Sequence, residues 1–557
     1  MLEGCTPWPE AFVKKYREAG LWVDQTLGDV LNESAERFAL KDAIVGDDGT
    51  RYTYQDLRRL SDRLALHFLE LGLKPQDRVL LQLHNVPEFP IVFFALAKAG
   101  LIPVACLAQF RTYEMGYFAE LTEPTAYIVP ARVGDFAYSE MVEQVRQKVP
   151  SIKRVLVHGK DVPAGSVSIN KLLADPIEER IPRSRLAKVR PDPTEVAVLL
   201  LSGGTTGVPK LIPRTHNDAL CSFKHYSRVS PAFGETVLNF TPMAHTMGLI
   251  YNLQPTLLTG GKFVICLVPD PERILSVIEK ERVNHLLTVP TIALRVASHP
   301  AFQKYDVSSM KSIMLGGQRS HPEFKAKLES MFPIKVQETY SMGEGFTCAT
   351  HINAPEEVRH FTVGYPITPG DELRLVDEKG HDVPEGEMGE IIARGPGVIR
   401  GYYKSPEYNA TAVDSEGFYH TGDLGRKGPL GGLQIVGRRK DMINRGGEHI
   451  SAEELDILLP MHPAILNAAV VGMPDDVMGE RICAYILTKP GQSVTLPDLC
   501  TFLLGKGIAK FKLPERLEQV SEFRIIGLGK IDKKVLREDI ARKLTEEKAR
   551  SGSAPPA

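Results

Sequence analysis

Nine residues, Ser202-Gly203-Gly204-Thr205-Thr206-Gly207-Val208-Pro209-Lys210, follow directly on the apolar run from Val196 to Leu201. A short unbroken Val/Leu run next to turn residues reads as a strand buried on both faces, which calls for a sheet covered by helices. The three glycines after it can take positive φ and let backbone come close, and three hydroxyls and a lysine stand among them. Successive N–H groups in such a loop form a concavity for an anion. It is not a Walker A loop: Pro209 precedes the lysine, and Leu211 stands where Ser or Thr would be needed. That argues against a P-loop kinase or ATPase.

The rest of the chain repeats the strand–helix texture. Leu57, Leu60, Leu64, Phe68 and Leu71 mark one apolar helical face, stopped by Gly72 and Pro75. Residues 78–83 read as a strand, 88–100 as a helix and 101–106 as the next strand. Further strands are expected at 196–201, 237–240, 263–268, 285–289 and 312–315. From about Glu372 the spacing shortens, with strands at 372–376, 389–393 and 433–436 between Gly- and Pro-rich turns, the pattern of a small antiparallel barrel. After Gly437 a charged segment opens a mixed region with strands near 468–471 and 482–486 and a last helix from about Lys533.

At 557 residues one core is too small a unit, so at least two domains are expected. They are a large N-terminal domain at 1–437, a small one at 438–545 with a hinge near 438–441, and a disordered tail at 546–557. Basic and acidic residues number 67 and 69, giving a net charge of −2, so no overall field recruits nucleic acid or a membrane. The seven cysteines are scattered and never spaced CxxC, which fits a reducing compartment. The start, Met1-Leu2-Glu3-Gly4-Cys5, has no secretory pattern, and the apolar stretch 91–108 is broken by Lys98, Gly100 and Pro103. A cytoplasmic protein is expected.

Five further motifs appear in order: Tyr340-Ser341-Met342-Gly343-Glu344, Gly389-Glu390, Tyr419-His420-Thr421-Gly422-Asp423, Gly437-Arg438-Arg439-Lys440-Asp441 and Gly529-Lys530. With the loop, they make the chain resemble the adenylate-forming (ANL) superfamily over nearly its whole length. Gly4-Cys5-Thr6-Pro7-Trp8-Pro9-Glu10 with Tyr16-Arg17, and Asn444-Arg445-Gly446-Gly447-Glu448 with His449-Ile450, are similar to free-standing aryl acid–AMP ligases of siderophore pathways.

The resemblance implies an α/β fold: two sandwiched αβ subdomains and a small β-barrel, with a mobile α+β C-terminal domain. It implies activation of a small aromatic acid with ATP and Mg²⁺, expelling pyrophosphate, then transfer to the phosphopantetheine thiol of a carrier protein in trans. Positioning and charge neutralisation carry most of such a phosphorus transfer. Ser202, Gly203, Gly204, Thr205, Thr206, Gly207 and Lys210 would hold phosphates, and Glu344 the Mg²⁺. Tyr340 would stack on adenine, Asp423 would bind the ribose hydroxyls and Arg438 the ribose or phosphate. Gly316, Gly317, Gln318, Glu338, Thr339, Ser341, Met342 and Ile435 complete the expected ATP/AMP contacts. Lys530 would bridge carboxylate and α-phosphate, Lys440 would be the hinge, and Gly446 and Gly447 would line the thiol channel. Catalytic roles thus fall on Lys530, His245 and Glu344.

The acid site is expected at His245, Thr246, Met247, Tyr251, Gly316 and Ser341, and there the chain departs from the dihydroxybenzoate pattern. Asn-Tyr after the histidine is replaced by Thr246-Met247, a small Ser by Tyr251, Gly-Gly-Ala by Gly316-Gly317-Gln318, and Gly-Met-Ala-Glu by Ser341-Met342-Gly343-Glu344. A different aryl or heteroaryl acid is therefore expected. Competing readings are a ligase that uses free CoA, a luciferase-like oxygenase and a non-catalytic ligand-binding module; intact Glu344, Asp423 and Lys530 argue against the last.

Overall fold

The computed structural model describes residues 1–202, 209–446, 448–475, 477–526 and 530–552. Two sheets dominate. In the nine-stranded sheet, Asp42–Gly46, Lys262–Ile265, Thr236–Asn239, His285–Thr288, Ser312–Leu315 and Lys335–Ser341 run parallel, with antiparallel strands at both edges. The seven-stranded sheet carries Val196–Leu201, Ile102–Ala105, Arg78–Leu81, Ala126–Pro130 and Arg154–His158 in parallel.

Successive strand residues point to opposite faces, and the cores follow that period. Ile44 and Leu81 enter one large core fed by both sheets, whereas Val45 and Leu80 enter separate outer cores. Helices Leu27–Arg37, Tyr54–Glu70 and Glu88–Lys98 contribute to the shared core. The last of these, EFPIVFFALAK, is buried at every position from Phe89 to Lys98, as a helix apolar all round must be. Thr53 and Asp56 form a capping box that starts Tyr54–Glu70 and fixes where its leucine face begins.

The expected small barrel is instead an open four-stranded antiparallel sheet, Glu372–Val376, Gly389–Arg394, Tyr419–Lys427 and Leu433–Arg438. Four strands are too few to close around a layer of side chains. After it, Met442–Arg445, Glu448–Ser451, Ile465–Asp475, Gly479–Thr488 and Arg516–Gln519 form a second small sheet with a core on each face. The final helix runs Lys533–Gly552, so the tail expected from residue 546 is helical at its start; residues 553–557 lie outside the described residues. Among the described residues no helix is long and apolar enough to cross a membrane, and all seven cysteines are free.

Candidate active site

The glycine-rich loop joins Val196–Leu201 to Leu211–Thr215, which returns antiparallel beside it with Leu201 opposite Leu211. Residues 203–208, which include Gly203, Gly204, Thr205, Thr206 and Gly207, lie outside the described residues. The loop's two ends are clasped: Ser202 N–H donates to the Lys210 carbonyl at 2.9 Å, and Lys210 N–H donates to Ser202 Oγ at 2.9 Å. The Lys210 ammonium lies 3.7 Å over the Tyr408 ring and 5.6 Å from that of Tyr402. Burial lowers its pKa, and Glu344 opposes the shift.

Glu344 is buried, and its Oε1 accepts the Tyr402 hydroxyl at 2.6 Å; Tyr402 and Tyr419 hydroxyls are 2.8 Å apart. Behind it, fully buried Arg214 donates to the Gly343 carbonyl (3.0 Å), Asp218 Oδ1 (2.6 Å) and Ser222 Oγ (2.8 Å). The turn carrying the carboxylate is thus held by an arginine that the sequence reading missed. Tyr402 was missed too; nothing in its immediate neighbours sets it apart from a core aromatic.

Asp423 and Arg438 are cross-strand partners on the open sheet, 3.3 Å apart from Nε to Oδ1. Asp423 Oδ2 accepts the Tyr340 hydroxyl at 2.7 Å. Burial, then Asp423, push the Tyr340 phenol far up, so it stays a donor. Lys530 is exposed along its side chain as a whole, while protein atoms crowd around its ammonium. That desolvation, helped by Arg438 and opposed by Asp423 and Glu453, brings its pKa down to about 8. The same lysine acts on His245, whose pKa falls to about 4, through burial first and the Lys530 charge second. His245 caps Thr246–Gly248, its Nδ1 accepting Met247 N–H at 3.2 Å. A neutral ring with Nδ1 as acceptor carries its proton on Nε2, as a donor.

Around the expected acid site, Gly316 is buried and Gly317 takes φ +77°. A Cβ on either would meet the Met247 methyl at 3.4–3.5 Å, and one on Gly316 would press on Thr339 Cγ2 at 2.9 Å. Thr246 lies beside Gly343: a Cβ there would reach Thr246 Oγ1 at 3.2 Å. Tyr251, on the π-helical turn Leu249–Leu253, is fully buried; its hydroxyl donates to the Met342 carbonyl (3.3 Å) and accepts from Thr347 Oγ1 (2.7 Å). π-Helical turns recur at functional sites.

Other expected residues do structural work as well. The Glu338 carboxylate accepts Ser320 N–H at 2.8 Å and pairs with buried Lys325, which braces the segment after Gly317-Gln318. Thr339 Oγ1 donates to the Cys348 carbonyl at 3.0 Å. Gln318 is exposed, Ser341 is half-buried and Ile435 is buried on the strand beside that of Asp423, opposite Gly425. Lys440 stands in the 3₁₀ turn Arg439–Asp441, whose Asp441 pairs with Arg537 of the last helix. Gly446, at φ +58°, donates to the Met478 carbonyl at 2.7 Å. Gly447 and Gly529 lie outside the described residues.

Residues 31–403 match the AMP-binding enzyme family, and residues 454–530 match the AMP-binding enzyme C-terminal domain. The chain belongs to the AMP-binding enzyme family and is a ligase that uses ATP. It is 38% identical to the 2,3-dihydroxybenzoate-AMP ligase of Bacillus subtilis (strain 168), over 98% of this chain and 99% of that protein. It is also 38% identical to a salicylyl-CoA synthase / salicylate adenylyltransferase of a Streptomyces species, over 96% and 97%. Among solved structures, apo MbtA of Mycobacterium smegmatis superposes with a TM-score of 0.72 at 34% identity, covering 96% of this chain and 98% of that one.

Proposed function

We propose that the chain joins an aryl or heteroaryl carboxylic acid to AMP, releasing pyrophosphate, and then passes the acyl group to the phosphopantetheine thiol of a carrier protein. The observation that supports this most is the cross-strand pair Asp423–Arg438 with the Tyr340 hydroxyl bonded to it, close enough to Lys530 for their charges to act on that lysine, as the lysine's charge in turn acts on His245. In this reading the pair marks the ribose end of the site and His245 its acid end. A cation between them suits a reaction in which a carboxylate oxygen attacks the α-phosphorus while pyrophosphate departs.

In this reading Asp423 and Arg438 orient the ribose, Tyr340 lies against the adenine, and Ser202 and Lys210 face the departing phosphates. Glu344 is a single buried carboxylate with one oxygen already fixed by Tyr402, which suits Mg²⁺ arriving on phosphate oxygens. When bound, that ion neutralises phosphate charge. His245 offers its Nε2 proton to the acid's carboxylate, and Lys530 then spans that carboxylate and the α-phosphate. For the second step, rotation about Lys440 exchanges faces, the thiol enters past Gly446 and Gly447, and it attacks the adenylate carbonyl so that AMP leaves. ATP consumption fits the cytoplasmic location expected from the sequence.

Incubating the protein with MgATP and a panel of benzoates, hydroxybenzoates, aminobenzoates and picolinates should give an acyl-AMP mass for at least one acid. A panel with no adenylate for any acid would sink the reading. The relative named as a salicylyl-CoA synthase keeps free CoA open as an acceptor; acyl-CoA formed without a carrier would select it. If buried Tyr251 bounds the proposed acid site, Tyr251→Ser should shift kcat/KM toward bulkier ring acids by at least about tenfold relative to small ones. An unchanged preference order across the panel would remove Tyr251 from the acid site.

A further inference from the structure

The Lys210 ammonium sits among groups of two kinds. The first are tyrosine rings: Tyr408 at 3.7 Å and Tyr402 at 5.6 Å, the two rings edge-on at 5.2 Å. The second is the Glu344 carboxylate, whose charge reaches the ammonium and whose Oε1 accepts the Tyr402 hydroxyl at 2.6 Å. Among the described residues Lys210 makes no ion pair with Glu344, although a lysine side chain is long and rotatable and the carboxylate is the natural partner. The aromatic side is firmly placed. Asn409 donates to the Tyr402 carbonyl at 2.9 Å and accepts Tyr402 N–H at 2.7 Å, which fixes helix Pro406–Ala412, bearer of Tyr408, against the segment that carries Tyr402.

An ammonium over a tyrosine face is held by the ring quadrupole, a contact weaker than a charge-assisted bond to phosphate. It is strong enough to choose a resting place for the side chain, and weak enough to yield when phosphates arrive. Without that resting place, Lys210 would fall toward Glu344, and a buried carboxylate paired with an internal cation is a poor ligand for another cation.

We propose that Tyr408 is a positioning residue that holds the Lys210 ammonium on its ring and off Glu344, keeping that carboxylate open to the metal that arrives with a triphosphate. The inference rests on the adenylating function above and on Lys210 and Glu344 facing the phosphates.

Calorimetric binding of MgATP and of metal-free AMP to the full chain tests it. Tyr408→Leu should weaken MgATP binding about fivefold to tenfold while AMP affinity stays put, because AMP reaches neither Lys210 nor Glu344. Tyr408→Phe, which keeps the ring, should restore MgATP affinity to within about twofold of the parent. In a Lys210→Met background, Tyr408→Leu should add nothing further. Tyr408 is 41% exposed, so these variants should fold, and a thermal melt verifies it. The inference is overturned if Tyr408→Leu binds MgATP like the parent, if it weakens AMP equally, if Tyr408→Phe is as weak as Tyr408→Leu, or if the effect persists without Lys210. If Lys210→Met itself leaves MgATP affinity unchanged, the phosphate role given to that lysine falls as well. If Lys210→Met weakens binding and Tyr408→Leu does not, only the role of Tyr408 falls.

Discussion

Lys530→Ala is expected to lower acid adenylation by about a thousandfold, the order of loss when one preorganised charge is removed from a transition state. ATP should still bind, because Asp423, Arg438 and Tyr340 are untouched. The pH profile gives a sharper signature. With its pKa at about 8 in the nucleotide-free protein, Lys530 is charged below that pH and neutral above it. The value of kcat/KM for ATP should therefore fall as pH rises through about 8. Bound triphosphate favours the charged lysine, so the falling limb in kcat should lie higher. Lys530→Arg, whose guanidinium stays protonated, should lose the limb even where its rate is low. A Lys530→Ala enzyme with near-parent rate would take this residue out of the chemistry.

Arg214→Met is expected to cost about 3–5 kcal/mol of stability, read from urea unfolding. Arg214 is wholly buried and neutralises Asp218, which is itself 1% exposed. Removing the cation leaves that carboxylate alone in the interior, where burial already pushes its pKa up. Asp218 also caps helix His216–Tyr226 through Thr215, so the damage should spread along that helix. Adding Asp218→Asn to Arg214→Met should recover part of the loss, since the second change deletes the stranded charge. A loss under about 1 kcal/mol would show that water or a rearranged neighbour replaces the arginine.

Much of this was legible in the sequence because the signals were local. The buried parallel strands announce themselves as apolar runs, and Asp423 and Lys530 stand inside motifs whose neighbours mark them. Leu211–Thr215 was not legible as a strand, because Pro213 sits inside it. The strand lies at the edge of the seven-stranded sheet, where a missing N–H is tolerated. The glycine-rich loop therefore closes a hairpin, with Ser202 and Lys210 clasped at its mouth.

Arg214 escaped notice for the opposite reason: a lone arginine after apolar residues reads as surface, and its partners are distant from it (Gly343) or masked by helix spacing (Asp218 and Ser222). The expected barrel was over-read from short strands and turns, a pattern that an open antiparallel sheet shares. Tyr251 was recognisable as an unusual residue, but that its hydroxyl is taken up by Met342 and Thr347 needed the fold. That detail matters for the acid: a phenol already bonded on both sides offers bulk more than a new donor.

The most direct test of the central claim is acid-dependent exchange of labelled pyrophosphate into ATP, run with the full chain and Mg²⁺ over the aryl and heteroaryl acid panel. Adenylation is reversible at the enzyme, so a true substrate should drive exchange well above the acid-free background, and Lys530→Ala should abolish it. Exchange that is absent for every acid, or equal with and without acid, would contradict the account.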